Sequence, residues 1–172
     1  ANQSSTPVPQ MCKTMLLENK LWAAGASDEV FFGDRHNAKY YLVVVQYAAT
    51  LSATKLRAEL SKRSGLSKSK FNFRVASAEK CAQLTGFEHG AVTPFGALEK
   101  KLPVVLAEAC VRECDVIWMG GGDKLLKVGV SVEDFVARFD PLVFDVSDPR
   151  APGTFDEDDD DGDKEVLATP PG

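Results

Sequence analysis

The longest strongly apolar run in the chain is Leu42-Val43-Val44-Val45, set inside a valine- and tyrosine-rich stretch from Tyr40 to Tyr47. A run this short falls far below the roughly 20 apolar residues that span a bilayer. Its composition suits a β-strand instead. The chain has 172 residues, about one domain's worth, and its 44% hydrophobic content is enough to build one core around such a strand. Residues 1–10 are polar and proline-bearing, without the basic and apolar regions of a secretory signal. These features argue against a membrane protein, a collagen-like chain or a secreted disulfide scaffold.

Other elements can be read on either side of that strand. Met11–Glu18 is β-like, and the long connection Asn19–Lys39 is expected to be either functional or mobile. Ser52 can cap a helix running to Arg63, with Leu56 and Leu60 on one face and Gly65 just beyond its end. Phe71–Val75 alternates as a strand, Ser77 caps a helix ending near Gly86, and Leu102–Leu106 reads as a buried strand. Glu108–Cys114 is a short helix, and Val116–Met119 and Lys124–Val130 are strands on either side of Gly120-Gly121-Gly122. Ser131 and Asp134 resemble a capping box that opens a helix to Phe139, and Leu142–Val146 closes the sheet. Strands outnumber helices and short links alternate with helices, which favours α/β with a mixed sheet over a doubly wound parallel one.

The net charge of −5 divides unevenly. From Phe155 to Gly172 there are eight acids and one base, so the rest of the chain holds 19 bases against 17 acids. The segment Lys55–Arg74 carries Lys55, Arg57, Lys62, Arg63, Lys68, Lys70 and Arg74 against Glu59 alone. Such a segment is either a solvated helix face with a basic turn or a surface that attracts a polyanion. From Asp148 onward, prolines, glycines and acids with little to bury read as a disordered tail.

Four cysteines, Cys12, Cys81, Cys110 and Cys114, form no CxxC pair, and His36 and His89 alone support a zinc site poorly. Cys110 and Cys114 share a helical face and read as small core residues rather than a metal or redox pair. Free thiols without a signal sequence lead us to expect a reducing compartment, the cytosol.

No Gly-x-Ser-x-Gly, Walker loop or GxGxxG occurs. Gly120-Gly121-Gly122 suits a hairpin, or a backbone that approaches a ligand closely. Gly90-Ala91-Val92-Thr93-Pro94-Phe95-Gly96 reads as a rigid loop with two glycines bracketing Thr-Pro. Lys13 shares a strand face with Met11, Met15 and Leu17, so it either snorkels to the surface or serves as a cation in a pocket.

Taken in order, the Lys13-Thr14 strand, Tyr41–Val45, the basic helix, Phe73–Ser77, Gly90-x-x-x-Pro94-Phe95-Gly96, Pro103–Leu106, and Gly120–Gly122 followed by Ser131-x-x-Asp134-Phe135 resemble the YbaK/ProX family. These are aminoacyl-tRNA deacylases related to the editing domain of bacterial prolyl-tRNA synthetase. The resemblance covers roughly Met11 to Val146. It implies a mixed, partly barrel-like sheet surrounded by helices, and hydrolysis of the ester that joins a wrong amino acid to the tRNA 3′ end. The expected substrate is proline tRNA carrying a small wrong residue such as Cys or Ala. By the same resemblance Lys13 would hold the terminal phosphate or polarise the ester, and Gly90 and Pro94 would line the aminoacyl pocket. Thr14, Thr93, Phe95, Gly96, Gly120, Gly121 and Gly122 are expected to contact substrate, and Lys55, Arg57, Lys62, Arg63, Lys68 and Lys70 to contact tRNA. The chain has Gly120 where YbaK-like members carry serine, and Lys127 at an often acidic position, so the amino acid removed stays open.

The expected organisation is therefore a polar leader over residues 1–10, with upstream elements expected before it, an editing domain over 11–147 and an acidic tail over 148–172. No cofactor or metal is expected, nor a membrane or DNA partner. The partner is mischarged tRNA, and an aminoacyl-tRNA synthetase or synthetase complex is a further candidate. A catalytically weak tRNA-binding or synthetase-docking module is the alternative reading.

Overall fold

Strand β2 (Tyr40–Gln46) is buried at every position, because it is bonded on both edges and covered on both faces. β1 (Cys12–Asn19) lies antiparallel to it in a register running from Cys12 opposite Gln46 to Glu18 opposite Tyr40. On its other edge β5 (Val104–Ala107) runs parallel, with Val43 opposite Val105. The computed structural model describes residues 10–22 and 34–151. Within them, β4 (Phe73–Val75) and β8 (Leu142–Phe144) complete a five-stranded mixed sheet in the order β4-β1-β2-β5-β8. The β2–β5 and β5–β8 pairs are parallel, and the other two are antiparallel.

Helix α1 (Ala53–Ser64) begins where Ser52 Oγ accepts from the Lys55 N–H and ends where Gly65 turns left-handed at φ 72°. Its Leu56 and Leu60 are fully buried. Helix α2 (Ala78–Thr85) repeats the device with Ser77 and with Gly86 at φ 80°. Helix α3 (Glu108–Glu113) follows β5 directly. Strands β6 (Val116–Gly120) and β7 (Lys127–Ser131) form an antiparallel hairpin, from which Ser131 caps α4 (Val132–Phe139) by accepting from the Asp134 N–H at 3.0 Å. The fold is thus α/β with a mixed sheet, as the sequence indicates. The strands fall into three separate sheets, and no closed barrel is present among the described residues.

Three readings need correction. The strand expected from Lys124 begins only at Lys127, because Asp123–Leu126 is a turn: Leu126 N–H donates to Asp123 O at 3.1 Å and Gly121 N–H to Leu126 O at 2.9 Å. The strand expected from Phe71 begins at Phe73, after a 3₁₀ turn over Lys68–Lys70. The chain just beyond Asp148 is also ordered. β9 (Ser147–Pro149) pairs with β3 (Ala49–Leu51), and Arg150 N–H donates to Ala48 O at 3.1 Å. Pro149 is tolerated because β9 is an edge strand. The tail from residue 152, the polar leader over 1–9 and the central part of the Asn19–Lys39 connection lie outside the described residues.

Candidate active site

Lys13 stands opposite Val45 near the start of β1 and is partly buried. Alternation along the strand sets it on the face of Met11, Met15 and Leu17, and sets Thr14 on the opposite face with buried Cys12 and Leu16. The structure therefore does not aim Lys13 and Thr14 at the same space. Thr14 Oγ1 is itself buried and has no hydrogen-bond partner among the described residues.

Met11 forms a parallel bridge with Trp118. Two residues further along each segment stand Lys13 and Gly120, so the bridge brings the lysine strand alongside the end of β6. Gly120 in turn lies against the Gly90–Gly96 loop. A Cβ placed there would sit 3.5 Å from Val92 O and 3.7 Å from Ala91 O. The lysine, the glycine run and the Thr-Pro loop are thus neighbours in space, though far apart in sequence.

The loop is built to hold its shape. Gly90 and Gly96 take φ 83° and 76°, left-handed values that glycine adopts without strain. Ala91, Val92 and Pro94 are buried, and Thr93 is fully so. Thr93 Oγ1 accepts from the Phe95 N–H at 3.3 Å, closing the turn around Pro94. The Phe95 ring meets Phe139 and Phe135 of α4 edge-on, with centroids 5.2 and 6.2 Å apart. Phe95 therefore anchors the loop to α4.

The other two glycines of the run serve packing. A Cβ on Gly121 would come within 2.9 Å of Leu126 and Val128 side-chain carbons, and one on Gly122 within 2.8 Å of Phe87. Phe87 was not singled out from the sequence. Its only local signal is an aromatic residue directly after the Gly86 helix cap.

The basic segment divides in two. Lys55 Nζ reaches Asp148 Oδ1 at 2.8 Å, Asp145 Oδ1 at 3.1 Å and Ser147 O at 3.0 Å, and these carboxylates raise its pKa. Arg74 is held by Glu18 Oε2 at 2.8 and 2.9 Å. Arg57 has a buried Nε with no partner among the described residues. Lys62, Arg63, Lys68 and Lys70 are exposed and form no ion pair among the described residues. Among the described residues no group of three or more His, Cys, Asp or Glu could hold a metal ion, and no helix is long and apolar enough to cross a membrane.

The aminoacyl-tRNA editing domain family matches residues 1–137 of the chain. Among curated proteins none matches. Among solved structures, a scaffold protein used for computational epitope grafting superposes with TM-score 0.60 at 20% identity, over 86% of this chain and 80% of its own. A candidate trans-editing enzyme for prolyl tRNA synthetase gives 0.60 at 21%, over 82% and 72%. A hypothetical protein gives 0.60 at 18%, over 82% and 76%. At these identities the likeness is one of fold.

Proposed function

The chain belongs to the aminoacyl-tRNA editing domain family, and from that premise we propose that it is a trans-acting hydrolase that deacylates mischarged tRNA. The substrate in this reading is proline tRNA carrying a small wrong amino acid such as Cys or Ala. The observation that carries the proposal is the convergence of Lys13, Gly120 and the Ala91–Val92 backbone.

An aminoacyl ester is already activated, so catalysis rests on positioning and charge stabilisation more than on a nucleophilic side chain. Water attacks the ester carbonyl carbon, and negative charge develops on the carbonyl oxygen. The C–O bond to the ribose then breaks, and the ribose oxygen leaves with a proton that originates from the water. The products are the free amino acid and a tRNA with its 3′-terminal hydroxyl restored. The Lys13 ammonium would hold the terminal phosphate or stabilise charge on the ester. The loop from Gly90 through Pro94 would form the wall that the amino-acid side chain meets, where one extra methylene changes discrimination by about 1–3 kcal/mol.

The test is a panel of proline tRNA charged with Ala, Cys, Ser or Pro, incubated with the protein and followed by loss of label. Faster release of one small residue than of proline supports the proposal. Binding without release of any of them would instead make the chain a tRNA-binding or docking module.

A further inference from the structure

β1 ends where a cluster of cations begins. Asn19, 1% exposed, uses its whole side chain to tie this corner together. Its Nδ2 donates to Lys70 O at 3.1 Å, and its Oδ1 accepts from the N–H groups of Leu21 at 3.2 Å and Asn72 at 2.9 Å. Lys20 N–H donates to Asn72 O at 2.8 Å. The 3₁₀ turn over Lys68–Lys70 is therefore stitched to the end of β1, with Lys20 beside it. α1 does not add Arg63 to this corner: the Arg63 guanidinium lies 5.7 Å from the ring centroid of Phe144 on β8, at the other edge of the sheet. Lys20, Lys68 and Lys70 are exposed, and none forms an ion pair among the described residues, in contrast to Lys55 and Arg74.

Lys13 and this corner are on the same strand. Seven residues separate Lys13 from Lys20, which at a rise of ~3.3 Å per residue is roughly 23 Å. We infer that β1 sets a fixed spacing between an ester-binding end at Lys13 and a phosphate-binding end at Lys20, Lys68 and Lys70. The corner holds the backbone of the duplex next to the aminoacylated end, and the unpaired 3′ nucleotides cover the distance between. This inference rests on the editing reading and adds to it Lys20, the positioning residue Asn19 and a division of labour along one strand. Contacts of this kind position a nucleic acid without reading its sequence.

The experiment compares uncharged tRNA with the trinucleotide CCA as ligands, by fluorescence anisotropy over a range of salt, for the full chain and two variants. Replacing Lys20, Lys68 and Lys70 together by Ala is expected to weaken tRNA binding tenfold or more and to lower the slope of log affinity against log salt by about 2.7. Binding of CCA should stay unchanged. Circular dichroism confirms that the triple variant is folded, and Lys20→Glu alone provides a second, milder perturbation with the same sign. An unchanged tRNA affinity and salt slope would overturn the inference, as would an equal loss for CCA. Failure of the editing reading shows separately, as absence of turnover with the corner's salt-dependent binding intact.

Discussion

The ring of Phe87 occupies the space where a side chain on Gly122 would begin: a Cβ there would lie 2.8 Å from Cε1. Gly122 also takes φ 93°, which L-residues rarely adopt. Gly122→Ala therefore combines backbone strain with overpacking and is expected to cost ~1–3 kcal/mol. A lower urea midpoint at unchanged slope is the readout. Gly120→Ser should behave differently. Its Cβ would stand 3.5 Å from the nearest atom, an ordinary contact, so the variant should fold like the parent and report on substrate choice.

Lys55 ties α1 to the strand that closes the described chain. Its side chain is 36% exposed and both carboxylates are 57% exposed, so solvent screens the pairs, and Lys55→Ala should cost less than ~1 kcal/mol. The folded pKa is raised above the ordinary 10.5. The contribution is thus complete below about pH 10 and is lost as pH rises through the folded value. The local consequence is expected to exceed the global one. Amide exchange at Arg150, whose N–H donates to Ala48 O, should accelerate in the variant.

Thr93→Val keeps the shape of a fully buried side chain and removes the acceptor for the Phe95 N–H. A cost of about 1 kcal/mol is expected. If the loop is the pocket wall, kcat/KM for the preferred aminoacyl-tRNA should fall further than stability does. Parallel denaturation and turnover measurements separate the two.

The thiols should be silent in the folded protein. All four cysteines are free and buried, and Cys12 Sγ lies 3.8 Å from Cys110 Sγ, a thiol–thiol hydrogen bond rather than a disulfide. The contact with Cys110 and burial together push the Cys12 thiol pKa well up, so its thiolate is scarce near neutral pH. An aqueous disulfide reagent is expected to titrate none of the four within minutes at pH 8, and all four in guanidinium. Rapid native reaction of any one would contradict this packing.

Much of the fold could be read in advance because its signals are local. Ser52 and Gly65 bound α1, Ser77 and Gly86 bound α2, and Ser131 opens α4, each within a few residues of the turn it caps. The β3–β9 pair could not be read. It joins two three-residue strands from distant parts of the chain, and the ion pair that secures it, Lys55 with Asp148, is equally remote in sequence. The same limit applies to the site. The Lys13 strand and the Gly90–Gly96 loop stand out through the family resemblance, but the approach of Gly120 to Val92 O and the seating of Phe87 on Gly122 are contacts between separate segments. Charge counting found the basic segment without distinguishing Lys55 and Arg74, which are held by acids outside it, from the cations left exposed. It also missed Lys20, which only the Asn19 network brings to Lys70.

In the proposed reaction the substrate's ester meets Lys13. That contact is tested most directly by single-turnover deacylation of the preferred mischarged proline tRNA by the parent protein and by Lys13→Ala. Lys13 is partly buried in a strand paired along its length with β2, and circular dichroism checks that the variant folds. The expected result is a rate lower by ~10²-fold or more in Lys13→Ala, the scale of losing one charge-stabilising group. Equal rates for the two proteins would mean that Lys13 takes no part in the reaction.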